Sequence, residues 1–444
     1  MPAIDDVNKW DSADMRKLAD AEIGSRLAEI GKRRGYYEGM FPPPLVDTHD
    51  NVVINLCRQV IDETAAFLSP NMPSIELDSD GGVTNSNEAM LSNVWMDSGG
   101  ARLINQMAVG GGIAGHVFVR VVVQPDGRVR VINLNAQHVI RWWLASDHLI
   151  TMGYEIRWRN GTTEYRTDVI RDGRQWVVRD MYRDHPKGVG GIVVTNPAWI
   201  GEVESVWAYP IAPIVDWQHL PNIGGAYGMD EIPHANMNLH INKIASDIKS
   251  ILRYHAYPTT VGTGFSAKDV QETRINGFLT VPNADAKVYN VEMQSDLASS
   301  MMMLDTMRDS FFNLARVVVV KGGLDTFRGM TNLGIRAAFM PMIAKTAQLR
   351  RNYEEGMVAL SRLILMIKGV DAEDMPITVV WGEALPMDQA EELRLIEKQM
   401  VLGLMSQETA AGRMGLNYDK EMANKRREAI IENEMINGIG DNVG

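Results

Sequence analysis

Gly110, Gly112 and Gly115 spell G-x-G-x-x-G. That spacing lets a backbone approach a pyrophosphate at a helix N-terminus, provided a strand precedes the glycines and a helix follows. Here the order is reversed. The hydrophobic period is helical before Gly110 and alternates after Gly115, so the glycines read as a helix-to-strand joint. No G-x-x-x-x-G-K-[ST] occurs, which excludes a P-loop ATPase. His234 and His240 fall on different faces of a helix, and His219 stands apart. With no H-E-x-x-H and a lone cysteine, no zinc set is spelled out, and the histidines read as isolated surface or hydrogen-bonded residues. Cys57 lies on an apolar helical stripe and reads as a small buried hydrophobe rather than a nucleophile. No G-x-S-x-G is present. Glu354-Glu355 and Glu391-Glu392 read as solvated helix faces. Asn160-Gly161-Thr162 fits a glycosylation sequon, but it reads as a turn in a chain whose N-terminus carries acids and no apolar run. No cofactor and no metal are expected. The weight moves to a structural or assembly role rather than an enzyme. A metal-dependent nuclease or hydrolase using Asp230, Glu231 and His234 is the alternative.

Composition narrows the choice. At 444 residues the chain has material for roughly two to three compact units. Hydrophobic residues at 45% and charged residues at 23% match an ordinary soluble globular protein with a real core. One cysteine forbids an internal disulfide and fits a reducing compartment. No segment is long and apolar enough to predict a membrane span. A net charge of -12 argues against a broad grip on nucleic-acid phosphates, leaving weak contact or DNA held at a distance. The 28 methionines read first as adaptable core filler, and second as a surface that repacks between partners.

The elements that must position any site follow from periodicity. Residues 14–35, 51–68 and 86–109 are predicted helices, the last closed by Gly110, Gly111 and Gly112. Residues 117–123 and 129–134 alternate around Asp126-Gly127, a hairpin signal. The pattern repeats around Asn160-Gly161 and Asp172-Gly173, so residues 116–220 read as an antiparallel β domain. From Met229 the helical period resumes and runs to Tyr257-Pro258. Residues 259–294 are short and turn-rich, with possible strands at 277–281 and 286–291. A helix from about Asp296 follows, then a long helix over 331–368, bent at Pro341 and ended by Gly369. A strand at 377–381 and helices at 389–404 and 406–435 close the chain. The helices flanking 259–294 have similar length and would run antiparallel, with that module at one tip. At the other tip lies ARVVVVKGGLDTFRGMTNLGIRAAF, residues 315–339. It reads as a projecting loop rather than a buried strand, because KGGLDTFRG is too polar and too glycine-rich for a core.

One stretch carries a family likeness. Residues 212–264 resemble the portal proteins of tailed bacteriophages, through Pro213, Asn222, Gly225, Tyr227, Gly228, Asp230, Ile232, Asn242, Ser246 and Pro258. The 117–134 hairpin, INLNAQHVI at 132–140, and VWGEALPMDQAEELRLIEKQMVLGLMSQETAAGRMG at 380–415 are similar to other parts of that family in the same order. The likeness covers most of residues 45–430. The family often has Ser where Met229 or Asp230 stands and Ser-Gly where Met330-Thr331 stands, which blurs the loop boundaries.

The resemblance implies an α+β portal fold. Its parts would be N-terminal helices and an antiparallel β/α wing at 1–228, stem helices at 229–256 and 295–316, and a clip at 257–294. A tunnel loop at 317–330, a long helix and wing strand at 331–388, and a helical crown at 389–444 would complete it. It implies a ring, usually of twelve copies, at one capsid vertex of a virion assembled in a bacterial host cytoplasm. Double-stranded DNA would pass through the channel. The terminase large subunit, head-completion or tail adaptor proteins, and the major capsid or scaffold protein would be partners. Lys321, Gly322, Gly323 and Arg328 would form the tunnel loop. Lys243, Lys249, Arg253, Arg308 and Arg316 would be stem channel candidates, with salt bridges on the stem as the equal alternative. Lys268, Arg274 and Lys287 would offer clip contacts. An acidic wall with few cations keeps friction on passing DNA low. Another virion connector that never meets terminase is the alternative within this class.

Overall fold

The computed structural model describes residues 2–4, 6, 9–45, 50–77, 83–185, 198–232, 235–256, 259–263, 285, 287–291, 297–319, 332–384, 389–414, 418 and 421–428. The chain is α+β and divides into two units, 1–329 with 335–384, and 330–334 with 385–444.

The first unit opens with β1 (Ala3–Ile4), α1 (Ala13–Glu22) and α2 (Ala28–Tyr37). Ser12 caps α1 by accepting from the Met15 amide. Next come α3 (Leu56–Leu68), β2 (Ser74–Leu77), α4 (Val83–Asp97) and α5 (Ala101–Ala114). The β-rich region holds β3 (His116–Val123), β4 (Val129–Leu134), β5 (Val139–Leu144), β6 (Asp147–Asn160), β7 (Thr163–Asp172), β8 (Gln175–Asp184), β9 (Ile200–Trp207) and β10 (Ile214–Gln218). One sheet has the order β1-β5-β6-β7-β8-β9, antiparallel except for the parallel β1–β5 pair. The other is β10-β3-β4, antiparallel throughout. The predicted turns at Asp126-Gly127, Asn160-Gly161 and Asp172-Gly173 all join paired strands, and each glycine has positive φ.

Further along the chain come α6 (Ala235–Ala256), β11 (Thr259–Thr263), β12 (Lys287–Val291), α7 (Leu297–Ala315), α8 (Asn332–Ala338, whose first three residues belong to the second unit), α9 (Met340–Ile367) and β13 (Ile377–Val380). β11 pairs antiparallel with β12, and β13 with β2. The second unit holds α10 (Gln389–Val401) and α11 (Gln407–Arg413), the latter capped by Ser406, with further helix at 421–428.

β3 is buried on both faces. Val117, Val119 and Val121 pack into a core with α3, α4, α5 and α9, while Phe118 packs with the N-terminal helices and the larger sheet. The alternating period of a strand thus serves two cores at once. A third core joins α3 to α6 and α7.

Several expectations are corrected. The predicted helix at 86–109 is two helices, broken where Gly99 and Gly100 adopt positive φ. Gly110, Gly111 and Gly112 do not end α5 but lie inside it, and Gly115 is its left-handed cap. Packing explains this: a Cβ on Gly111 would stand 2.6 Å from His219 Nδ1 and 2.7 Å from the Tyr353 hydroxyl. Residues 51–55 form neither helix nor strand and are held by a neighbouring helix described below. Met229 precedes α6 and makes a β-bridge with Leu220. Pro341 does not bend one long helix; it starts α9 after a break at Phe339, as fits a residue with no N–H to donate. The partner of β12 is β11, and residues 277–281 lie outside the described residues.

Gly111→Ala forces a methyl group against two hydrogen-bonding groups and Val117, so it is expected to destabilise the protein by about 1–3 kcal/mol. Urea unfolding followed by circular dichroism checks this; an unchanged midpoint would mean the site yields at no cost.

Candidate functional site

α6 and α7 form an antiparallel pair. Ile241, early in α6, shares a core with Phe311 and Phe312, late in α7. Towards the other end Ile244, Ile248 and Ile251 line a groove with Ser299, Ser300 and Met303. β11 and β12 close that end, with Thr259 beside Val291.

A strap without regular secondary structure, residues 51–55, leads into α3 and lies along α6. Asn238, Asn242 and Ser246 share one face at four-residue spacing, and all three are fully buried. Asn238 Oδ1 accepts from the Leu56 amide at 2.9 Å, Asn242 Oδ1 from Ile54 at 3.0 Å, and Ser246 Oγ from Val52 at 2.8 Å. Asn238 Nδ2 returns a bond to the Ile54 carbonyl at 2.8 Å. Arg253 continues the row, 3.0 Å from Asp50. Alternate strap amides thus find side-chain acceptors on a helix instead of a neighbouring strand. This is why helix begins only at Leu56, where Asn55 caps α3 through the Arg58 amide.

The roots of the pair meet at Lys345 of α9, which is 1% exposed. Its ammonium pairs with Glu231 Oε2 and donates to Thr64 Oγ1 at 3.0 Å and to the Ala315 carbonyl at 2.9 Å. Glu231 Oε1 accepts from His219 Nε2 at 3.1 Å, and His219 Nδ1 lies 2.8 Å from the Tyr353 hydroxyl, itself 3.2 Å from the Met107 carbonyl. Burial alone would raise the Glu231 carboxyl; Lys345 and the His219 bond outweigh it and hold it below the usual range. Burial lowers the Lys345 ammonium against the pull of Glu231, and Arg316 lowers it further.

α7 ends in a left-handed turn. Arg316 has φ +54°, its amide bonds the Asn313 carbonyl at 3.1 Å, and the Val317 amide bonds the Phe312 carbonyl at 3.0 Å. Val317 packs buried in the same core as Phe312. Both bonds and the apolar contact belong to the Schellman cap, which normally places glycine where Arg316 stands.

Other buried charges tie the sheets together. Asp216 accepts from His116 Nε2 at 2.7 Å and from the Tyr154 hydroxyl at 2.5 Å. Burial keeps the His116 imidazole below its usual value in spite of Asp216. Arg166 joins Asp168 at 2.8 Å and Asp11 at 3.1 Å.

Of the residues singled out from the sequence, Lys243 and Lys249 are exposed on α6, Arg253 is paired with Asp50, and Arg308 is half-buried on α7. Arg316 is exposed at the turn that ends α7, and Lys287 is exposed on β12. Lys268, Arg274, Lys321, Gly322, Gly323 and Arg328 lie outside the described residues. Asp230 pairs with Arg33 at 2.9 Å and Glu231 with Lys345, so each carboxylate on which a nuclease would draw is held by a cation; His234 lies outside the described residues. Among the described residues no group of His, Cys, Asp and Glu could hold a metal ion. Burial pushes the Cys57 thiol up to about 12, which makes it inert. Sequence reasoning missed Lys345, Thr64 and Asn238. Small polar residues recurring at 238, 242 and 246, one face of a helix, were the available signal.

The depressed carboxyl of Glu231 stabilises the fold above its unfolded value, about 4.3. That contribution is lost as pH falls through the lower folded value. Stability of the parent is therefore expected to fall below about pH 4 more steeply than that of Glu231→Gln. Urea midpoints between neutral and acid pH check this; parallel curves would contradict it.

With the geometry in hand, comparisons place the chain. The model of the family described as phage portal protein, SPP1 Gp6-like, matches residues 240–435, which take in most of α6 and all of α7, α9 and α11. No curated protein matches. Among solved structures, a chain in the virion of a native gene transfer agent particle has TM-score 0.44 at 12% identity, over 87% of this chain and 93% of that one. A chain in the neck of the native particle, computed with C12 symmetry, has TM-score 0.43 at 13% identity, over 81% and 88%. Neither likeness is close enough to bear on function. The paired helices lie largely inside the matched span, so residues 240–435 of this chain are similar to the phage portal protein family, SPP1 Gp6-like.

Proposed function

We propose that the protein forms a homo-oligomeric ring at one vertex of a virion capsid, through which double-stranded DNA enters and leaves. The observation that carries this reading is the antiparallel α6–α7 pair, tipped by the β11–β12 ladder and rooted at its other end in the body of the fold. In this reading the pair is the stem, β11–β12 belongs to the clip that meets terminase and adaptor proteins, and the β-rich sheets with α1 to α5 are the wing. Residues 317–330 are the tunnel loop, and 389–444 the crown.

Physical features agree with that role. α7 presents exposed apolar surface at Met301, Met302, Met303 and Leu314. A neighbouring copy in the ring would cover it. Lys243 and Lys249 are solvent-facing on α6 and are the stem cations we assign to the channel wall or to pairing between copies. Arg253 pairs with Asp50 beside the strap. Catalysis has no part in this function; terminase would supply the work of packaging.

Light scattering on the purified protein is expected to give a mass many times that of the 49.5 kDa chain, with rings under the electron microscope. A stable monomer at high concentration would overturn the proposal. Deleting residues 322–328 should leave ring assembly intact and reduce DNA packaged or retained per particle. Failure of that variant to fold would make the segment part of a core rather than a loop.

A further inference from the structure

The turn that ends α7 combines three features that oppose one another. Arg316 holds a left-handed φ of +54°, a conformation that costs an L-residue with a Cβ. The carbonyl just before it, Ala315 O, is taken by the Lys345 ammonium at 2.9 Å. That ammonium is buried, and after burial the like charge of Arg316 adds to what holds it below its usual value. The turn is thus strained at its backbone and repelled electrostatically, and it is held by one charged hydrogen bond, two backbone bonds and the seating of Val317 beside Phe312.

The two helices of the pair are not held alike. α6 is pinned along its flank by the side chains that receive the strap amides, from Asn238 to Ser246. α7 buries Phe311 and Phe312 in the core it shares with Ile241, and nearer its start it turns Met301, Met302 and Met303 to solvent. At the end of α7, Lys345 reaches its last carbonyl. Lys345 also holds Glu231, four residues before α6 begins at Ala235, so one ammonium ties both roots to α9. Behind it Leu349, Tyr353, Met357 and Leu360 are fully buried, so α9 provides a fixed base.

We propose that the end of α7 is a two-state latch. In the closed state Lys345 holds the Ala315 carbonyl and Arg316 is left-handed; in the open state that carbonyl leaves Lys345 and the last turn unwinds, relaxing Arg316 and changing the direction in which the chain departs from the pair. The latch is a property of the folded chain and does not depend on the ring reading. Strain at a non-glycine residue held by its surroundings is the usual mark of such a switch. Interactions that differ between the two states set their populations.

The two sides of the balance can be changed separately. Arg316→Gly removes both the left-handed penalty and the repelling charge, so it favours the closed state. Lys345→Met together with Glu231→Gln removes the latch without leaving an unpaired buried charge. Hydrogen exchange read by mass spectrometry on the full-length protein, over peptides spanning 312–319, is the measurement. Peptides of the β3–β4 hairpin serve as the internal reference. Arg316→Gly is expected to slow exchange at the α7 end roughly tenfold, and the double variant to speed it by about as much, relative to the hairpin. The proposal is overturned if both variants shift the α7 end in the same direction. It is also overturned if either changes that end no more than the hairpin, the result of a general change in stability.

Discussion

A lysine ammonium taken out of water must be surrounded by acceptors, because an unpaired charge in a protein interior is intolerable. Lys345 meets this demand with a carboxylate, a hydroxyl and a main-chain carbonyl drawn from three separate parts of the chain. Each acceptor fixes an element: Glu231 the approach to α6, Thr64 the middle of α3, and Ala315 the end of α7. Removing any of them would leave the ammonium short of a partner, so the three elements are held in one arrangement. The charge contributes geometry more than net stability. A well-packed apolar group in its place would be neutral or better for folding, but it would not select which carbonyl and which carboxylate meet there.

The same logic of satisfying polar groups explains the strap. Residues 51–55 run without a strand beside them, yet alternate amides from Val52 to Leu56 are bonded. Asn and Ser on one face of α6 supply the acceptors at a pitch that suits both a helix turn and two residues of the strap. One turn of helix rises about 5.4 Å and two residues of strand about 6.6 Å, near enough for three successive contacts. A helix decorated in this way cannot slide along the strap by a single residue without losing every bond. Flank and root together make the pair a defined rod.

Much of this architecture was legible in the sequence, and the limits have physical causes. The β hairpins were readable because Asp-Gly and Asn-Gly enforce positive φ at the turn, independently of what packs around them. α6 and α7 were readable because their apolar residues repeat at helical spacing. Gly110 to Gly112 misled because glycine is a local signal for a break, whereas here a tertiary demand prevails: His219 and the Tyr353 hydroxyl occupy the space a side chain would need. Residues 51–55 misled because Val53 and Leu56 fit a helical stripe, while the deciding acceptors lie nearly two hundred positions away on α6. Lys345 was invisible for a like reason. A lysine among Ala, Thr and Gln on a helix reads as solvated, and nothing nearby in the chain announces its partners. The portal likeness was caught through Asn242 and Ser246, which proved to be two of the three residues holding the strap, so a motif noticed as a likeness has a mechanical meaning here.

The central claim is that the α6–α7 pair, rooted on Lys345, is the element that faces the axis of an assembly. A cryo-electron microscopy reconstruction of the purified, assembled protein tests it most directly. The account predicts α6–α7 pairs arrayed around an open channel, each tipped by β11–β12 and each with Lys345 density joined to Glu231 and to the end of α7. A map in which these helices lie on the outer rim, with some other element lining the opening, would contradict it.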